Sequence, residues 1–260
     1  MTKISLTYLL LLFAMLALSS CASKNKYLYY QDIEEVINSE SQSKLFETKL
    51  APDDLLMIIV SAEDPESAAP FNLFSTMTAD PKNPARNGQM TQQLYLVDSQ
   101  GKIEFPIVGS LIVGGLTKSQ AIALIKDEIN KYLTNPIVNL RIMNFKITVQ
   151  GEVNRPGVHS IISERLTLPE AITLSGDLST YGSRKNIMII REQDGKRSFA
   201  RVDITKADFI NSPYYFLRQN DIVYVEPNKT KINSSVVGPN ITIGISALSL
   251  LVTIIALSLK

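Results

Sequence analysis

The residue types that perform covalent chemistry are scarce in this chain. It holds one cysteine, Cys21, and one histidine, His159. His159 follows a Pro-Gly turn on an expected strand and reads as a surface residue. No nucleophile–base–orienter set, metal-ligand spacing or phosphate-cradling loop can be traced. Carboxylates occur as the adjacent pairs Glu34-Glu35, Asp53-Asp54 and Glu63-Asp64. Sequence neighbours do not flank one bond from two sides, as the carboxylates of a glycoside hydrolase must. The expectation is a protein that is not an enzyme, with no catalytic residue, metal or cofactor. The formal net charge is +1, which offers no basic footprint for nucleic acid.

The chemistry that does stand out belongs to Cys21. Lys3 supplies a positive start, and an apolar run over 6–18 is too short and too early to be a membrane span. "LSSC" ends it, with small residues before the cysteine. The pattern resembles a bacterial lipobox. It implies a signal peptide over 1–20 and acylation of Cys21, with palmitate-like chains, as the mature N-terminus. Each buried methylene contributes roughly 0.8 kcal/mol, so several acyl chains hold a protein firmly on a bilayer. Neither Ala22 nor Ser23 is acidic, which by analogy favours the outer membrane. With one cysteine, no disulfide forms within the chain. Residues 21–48 read as a tether with a short helix near 32–37, and Tyr27, Tyr29 and Tyr30 are expected at the membrane interface.

About 240 residues follow the signal, enough for two modest domains. "LAPDDLLMIIV" predicts a buried strand after a turn. The stretch 61–93, rich in Pro, Ala, Asn and Asp, reads as a long loop. "QLYLVDSQGKIEFPIVG" predicts two strands around a turn at 98–101. A helix is expected over 118–133, with Thr117 and Gln120 as its capping box and Ala121, Ile122, Ile125, Ile129 and Tyr132 on one face. "IVNLRI" and "KITVQGEV" follow as strands, and "RPG" at 155–157 turns the chain.

The second unit is built in the same way. Thr167 and Glu170 cap a helix whose Ala171, Ile172 and Leu174 face inward, and Gly176 stops it. "NIMIIR" and "SFARVDI" are strands joined at Asp194-Gly195. "LRQNDIVYV" echoes "LAPDDLLMIIV" in a weak internal repeat.

The stretch over 95–142 resembles the polysaccharide export family of outer-membrane lipoproteins. The matching pieces are the "VDSQGKI" hairpin with "FPIVG", the "GLT" helix start, "YLTNPIV" and "GEVNRPGV". "LTLPEAITLSGDLSTYGSRKNIMIIR" and "LRQNDIVYVEP" resemble the soluble-ligand-binding β-grasp (SLBB) module of that family. The family usually has glycine where this chain has Asp53. The resemblance implies an α+β architecture: a polysaccharide-export domain over 49–146, one SLBB-like β-grasp domain over 147–227, a linker over 228–240 and a C-terminal transmembrane helix over 241–259. It also implies a homo-oligomeric ring that exports capsular or exopolysaccharide through a porin-like channel. The implied partners are an inner-membrane polysaccharide co-polymerase with tyrosine-kinase activity, the polysaccharide itself and outer-membrane lipid, with no nucleic acid. The folded domains would lie in the periplasm.

The closing run "ITIGISALSLLVTIIALSLK" fits that expectation on length, since 19 helical residues cover roughly 28 Å, about one hydrocarbon core. On a helical wheel Ser246, Ser249 and Thr253 fall within about 40° of Thr242. They are the candidate pore-lining or helix-seam residues. Leu248, Leu251, Ile254 and Ile255 are expected to meet lipid, and Lys260 to reach the far headgroups. The alternative is a monomeric periplasmic lipoprotein that binds a soluble ligand or glycan, its tail a second anchor.

The lipobox reading makes a direct prediction. The intact mass of the mature protein should exceed that of the chain starting at Cys21 by the mass of the acyl groups, and Cys21→Ser should accumulate as precursor. A Cys21→Ser protein that still matures and fractionates with the outer membrane would refute it.

Overall fold

The computed structural model describes residues 27–38, 46–76, 90–193, 195–236 and 239–258. Helix and strand are mixed in two units, each with its own hydrophobic core. In the first unit, β1 (Leu55–Ser61) is central. It pairs antiparallel with β4 (Tyr95–Leu96) on one side and β7 (Ile137–Ile142) on the other. Leu56, Ile58 and Val60 point into the core together with Val138 and Leu140. This is the alternation a strand with one buried face requires. Helix α3 (Lys118–Ile129) closes the core with Ala121, Ile125 and Ile129. Its capping box is formed: Thr117 accepts from Gln120 N–H and the Gln120 side chain accepts from Thr117 N–H. The helix ends four residues before the expected boundary, capped at Asn130. Tyr132 is accordingly exposed, while Leu133 still packs inward.

Two expectations for this unit are corrected. The strands flanking 98–101 do not form one hairpin. β4 joins β1, whereas β5 (Lys102–Phe105) pairs with β6 (Gly109–Ile112). The turn between them is tied by the Asp98 carboxylate, which accepts from Gln100 and Lys102 N–H. Gly101 has φ +77°, and a Cβ on Gly114 would lie 2.6 Å from its Cα, so both glycines are needed for that crossing. The stretch 61–93 is not simply loop. It carries a short helix α2 (Pro65–Ala68) and an antiparallel ribbon of β2 (Phe74–Thr76) with β3 (Met90–Gln92). The first helix, α1 (Ile33–Asn38), belongs to the tether. Polar side chains replace ladder bonds here: Asn72 both donates to and accepts from the Val60 backbone, and Gln92 donates to Ile58 O.

The second unit is a five-stranded sheet in the order β12 (Lys196–Val202), β11 (Gly182–Gln193), β14 (Ile222–Pro227), β8 (Lys146–Gly151), β9 (Gly157–Ser160). Only β14 and β8 run parallel. A two-residue pair, β10 (Leu166–Thr167) with β13 (Phe216–Leu217), lies apart from it. Helix α4 (Leu168–Leu174) packs on the sheet through Leu168, Ala171 and Ile172, again with a complete capping box. Leu174 is exposed, contrary to expectation, because the Schellman-like turn at Gly176 (φ +73°) follows at once. Of the expected Asp194-Gly195 turn, Asp194 lies outside the described residues, while Gly195 has φ +69° and Gln193 faces Lys196.

The weak sequence echo is a structural one. Asp53 (φ +68°) and Asn220 (φ +63°) occupy the left-handed region immediately before a central strand. The next residue in each case is a buried aspartate that closes the turn: Asp54 accepts from Ala51 N–H and Asp221 from Arg218 N–H, both at 2.8 Å. Four positions earlier, Leu50 and Leu217 are buried. The glycine expected at position 53 supplies the positive φ more cheaply, and an aspartate tolerates it better than most residues.

The two turns differ in their electrostatics. Asp221 is held by Arg191 through Nε at 3.0 Å and Nη2 at 2.6 Å, and Arg191 also donates to Phe216 O and lies over the Tyr214 ring. Among the described residues Asp54 has no cation, and its Oδ1 is buried without a partner. Burial therefore pushes its carboxyl up to about 6, against the lowering effect of the Ala51 N–H and with a small push from Asp53. A raised folded-state value means that the native chain binds this proton more tightly than the unfolded chain does. The contribution of Asp54 is then fullest below the ordinary aspartate range and is lost as pH rises to about 6. Asp54→Asn should remove that decline. Its stability relative to wild type should improve by on the order of 2 kcal/mol between pH 4 and pH 7.5, measured by urea unfolding. A difference that is flat across this range would show that the carboxyl titrates normally.

Candidate functional site

The carboxylate pairs resolve into structural roles. Asp64 caps α2, accepting from Glu66 N–H, and Asp54 closes its turn. Glu34 is exposed on α1. His159 is half-buried rather than a surface residue. Its Nε2 lies 3.1 Å from Ser175 Oγ. Ser175 donates its own proton to Ala171 O at 3.0 Å, so the imidazole is the donor to the hydroxyl. That is the reverse of the direction a general base needs. Among the described residues no group of His, Cys, Asp and Glu could hold a metal ion.

A cleft of about 1060 Å³ opens at the junction of the two units. The two related turns contribute to it, through Pro52 and Asp53 on one side and Gln219 and Asn220 on the other. The junction itself is built from side-chain amides. Asn144 accepts from Leu55 N–H at 2.9 Å and donates to Asp53 O at 2.8 Å. Gln219 donates to Asn144 O and accepts from Lys146 N–H, both at 2.8 Å. The cleft is also bordered by the outer face of the five-stranded sheet. Across that face Phe199, Ile190, Ile222, Thr148 and Val158 stand in one register row, and Phe199 and Val158 are exposed. Cations at the cleft are engaged locally: Arg197 pairs with Glu192, and Arg218 donates to Gln193.

The tether is not free at its tyrosines. Tyr30 stacks on Phe209 at 5.7 Å, and Tyr29 donates to Asp177 Oδ1 at 2.6 Å. Burial first, and then that bond, push the Tyr29 phenol up to about 12. Arg184 lies over the rings of both Tyr27 and Tyr29. Gln31 N–H donates to Thr205 O, and Ala207 N–H to Asp32. The expectation that all three tyrosines sit at a membrane surface is thus corrected, because the second unit offers Tyr29 and Tyr30 an aromatic floor and a carboxylate. Further on, Phe46 stacks on Phe216 at 4.5 Å, and separately Lys118 of the first unit pairs with Glu164 of the second.

Cys21 lies outside the described residues. The closing run is helical, α6 (Pro239–Ser258), after a short helix α5 (Lys229–Val236). Among the described residues no helix is long and apolar enough to cross a membrane. Side chains of α6 are described continuously only over 243–254, about 18 Å of helix against a hydrocarbon core of about 30 Å. The expected span over 241–259 therefore lacks support from these residues. Of the stripe, the side chain of Thr242 is not among those described. Ser246, Ser249 and Thr253 are exposed, and Thr253 donates its hydroxyl proton to Ser249 O at 2.8 Å. Leu248, Leu251 and Ile254 are exposed as well, as is every other described Ile, Leu or Val of the helix. The side chain of Ile255 is not described.

Residues 43–143 match the family described as polysaccharide biosynthesis/export protein, and residues 145–225 match the SLBB domain. The chain is 30% identical over 200 residues to the EPS I polysaccharide export outer membrane protein EpsA of Ralstonia solanacearum, covering 74% of this chain and 52% of that one. It is 28% identical to the EpsA protein of Ralstonia nicotianae, covering 74% of this chain and 51% of that one. The chain spans about half the length of these curated relatives. The relatives are named as export proteins rather than as enzymes. Two adjoining matches in the same order as the two cores place the chain in its family: it belongs to the polysaccharide biosynthesis/export proteins, with an SLBB domain following the export domain.

Proposed function

We propose that this chain is a subunit of an outer-membrane conduit for a capsular or exopolysaccharide. It would act as a homo-oligomeric ring anchored by acylated Cys21, with its body over 49–146 and 147–227 in the periplasm and its C-terminal helix in the membrane. The observation that carries the reading is a helix whose described Ile, Leu and Val side chains are all more than half exposed, joined to a body that belongs to an export family. A single copy leaves this surface in water, at a cost of roughly 25 cal/mol for each Å². Lipid on one face and sister helices on the other remove that cost. Hydroxyls on one stripe then face the lumen or the seams, where small polar residues are favoured between spanning helices. The row from Phe199 to Val158 is the surface of the second unit suited to a neighbouring copy. Energy for transport would come from elsewhere, and the family resemblance implies an inner-membrane polysaccharide co-polymerase with tyrosine-kinase activity as the partner.

A monomeric lipoprotein that binds a glycan is the second reading, and the junction cleft is the feature that favours it.

Single cysteines at Ser249 and Leu251 separate the two. An acylated Cys21 has no free thiol, so it does not compete. With a membrane-impermeant maleimide on intact membranes, Ser249→Cys should label and Leu251→Cys should not, because thiolate forms only in water. The detergent-extracted protein should have the mass of a multimer. Equal labelling at both sites together with a monomeric mass would leave the conduit without a pore.

A further inference from the structure

We infer that the end of the second unit from which α6 emerges is a collar for anionic phospholipid headgroups. The inference rests on the reading that α6 enters the bilayer. β11 links the two ends of this unit: Ile190, Glu192 and Gln193 border the junction cleft, while Gly182 lies at the far end, paired with Pro227. At that far end three separate parts of the chain meet, around residues 27, 181–184 and 228–231. Arg184, which donates to Gly182 O, lies under Tyr27 at 5.2 Å. Asn228 N–H donates to Tyr181 O, and the Asn228 side chain caps α5 by accepting from Lys231 N–H. Lys231 then lies over the Tyr181 ring at 4.9 Å.

The exposed side chains here are Tyr27, Leu28, Tyr181 and Ile232. Interleaved with them are Arg184, Lys229 and Lys231. The neighbouring acids are already engaged: Asp177 by Tyr29, Glu226 by Arg201 and Asn186, and Glu152 by Ser179 with Lys231 at 3.9 Å. Helix α5 itself carries two lysines and no acid. Amphipathic rings beside cations, with no unengaged acid among these neighbours, suit the boundary of a phospholipid leaflet, where tyrosine rings sit at headgroup level and lysines meet phosphate. Continuity gives the direction: the collar is joined to α6 through α5, and on the other side Tyr27 is six residues from Cys21, at most about 21 Å of chain. Both attachments to the membrane leave from this end.

The chain has no tryptophan, so single substitutions report without background. Full-length protein would be reconstituted into phosphatidylethanolamine vesicles with and without phosphatidylglycerol, carrying lipids brominated near the headgroup end of the chains. Tyr181→Trp and Ile232→Trp should each be quenched about twofold in the anionic vesicles. Ile162→Trp should not be quenched, since it adjoins Glu164 at the junction with the first unit. With Lys229→Glu and Lys231→Glu added, quenching at Tyr181→Trp should fall to its level in vesicles without phosphatidylglycerol. A Trp at 181 and 232 that stays unquenched would overturn the collar, and a blue-shifted unquenched emission would assign this end to a contact between copies instead. Leu251→Trp, read with deep brominated lipids, reports on α6 separately. Quenching there without quenching at 181 and 232 overturns the collar alone. Quenching at 181 and 232 without quenching at Leu251 upholds the collar and sinks the inserted helix.

Discussion

The structure hangs on one peptide crossing, residues 143–145, where the chain leaves the first sheet and enters the second. Backbone polar groups at such a junction must be satisfied. Met143 N–H donates to Leu55 O and Phe145 O accepts from Ile161 N–H, and two long amides complete the joint. Asn144 binds the backbone on both sides of Asp54, and Gln219 binds the backbone on both sides of Phe145. Each amide reaches the crossing because a left-handed residue and a buried aspartate set the turn beside it. The two turns are thus the hinge pins of the molecule as well as the starts of β1 and β14, and the cleft is the space they leave.

The pins are unequal. Asp221 is neutralised by Arg191, whose five donors also hold the strand end at Phe216, and loss of one partner from such a buried pair costs about 3–5 kcal/mol. Asp54 keeps a bare buried oxygen. In the first unit's turn, burial therefore holds a carboxyl above the usual aspartate range. The tether attaches to the second unit, where Tyr29, Tyr30, Gln31 and Asp32 all bind. The first unit is connected through the Asn144 clamp and the lacing at Phe46 and Lys118.

Much of this is legible in the residues, and what is not has a local cause. Thr117 with Gln120 and Thr167 with Glu170 announce their helices because a capping box is a short-range device. The echo of "LAPDD" in "LRQND" is visible as pattern, but Arg191 gives no sign of which aspartate it serves, since the pairing spans 30 positions. Strand partners fail for the same reason. Lys102 follows Tyr95 closely, yet the bonding edge of Tyr95 is taken by Leu56, brought there by the first turn. The tether misleads because aromatic residues near a lipid anchor suit a membrane surface equally well; only the floor of Phe209 and the carboxylate of Asp177, both distant in sequence, reveal a protein site. His159 is the converse case, a lone histidine whose partner is the buried Ser175.

The hydroxyl stripe of α6 is where the two functional readings part, and the bond from Thr253 to Ser249 O bears on both. Back-bonding of this kind satisfies the hydroxyl proton and allows a threonine to lie in lipid. Its oxygen can still accept a further hydrogen bond. Hydrocarbon supplies no donor for it. In a lumen water supplies it, and at a helix seam a neighbour's hydroxyl does. A tail anchor has no reason to collect such residues on one face, whereas a ring of helices does. Spacing alone, with Ser246, Ser249 and Thr253 at three- and four-residue steps, thus weighs toward an assembly in which that face is turned away from lipid.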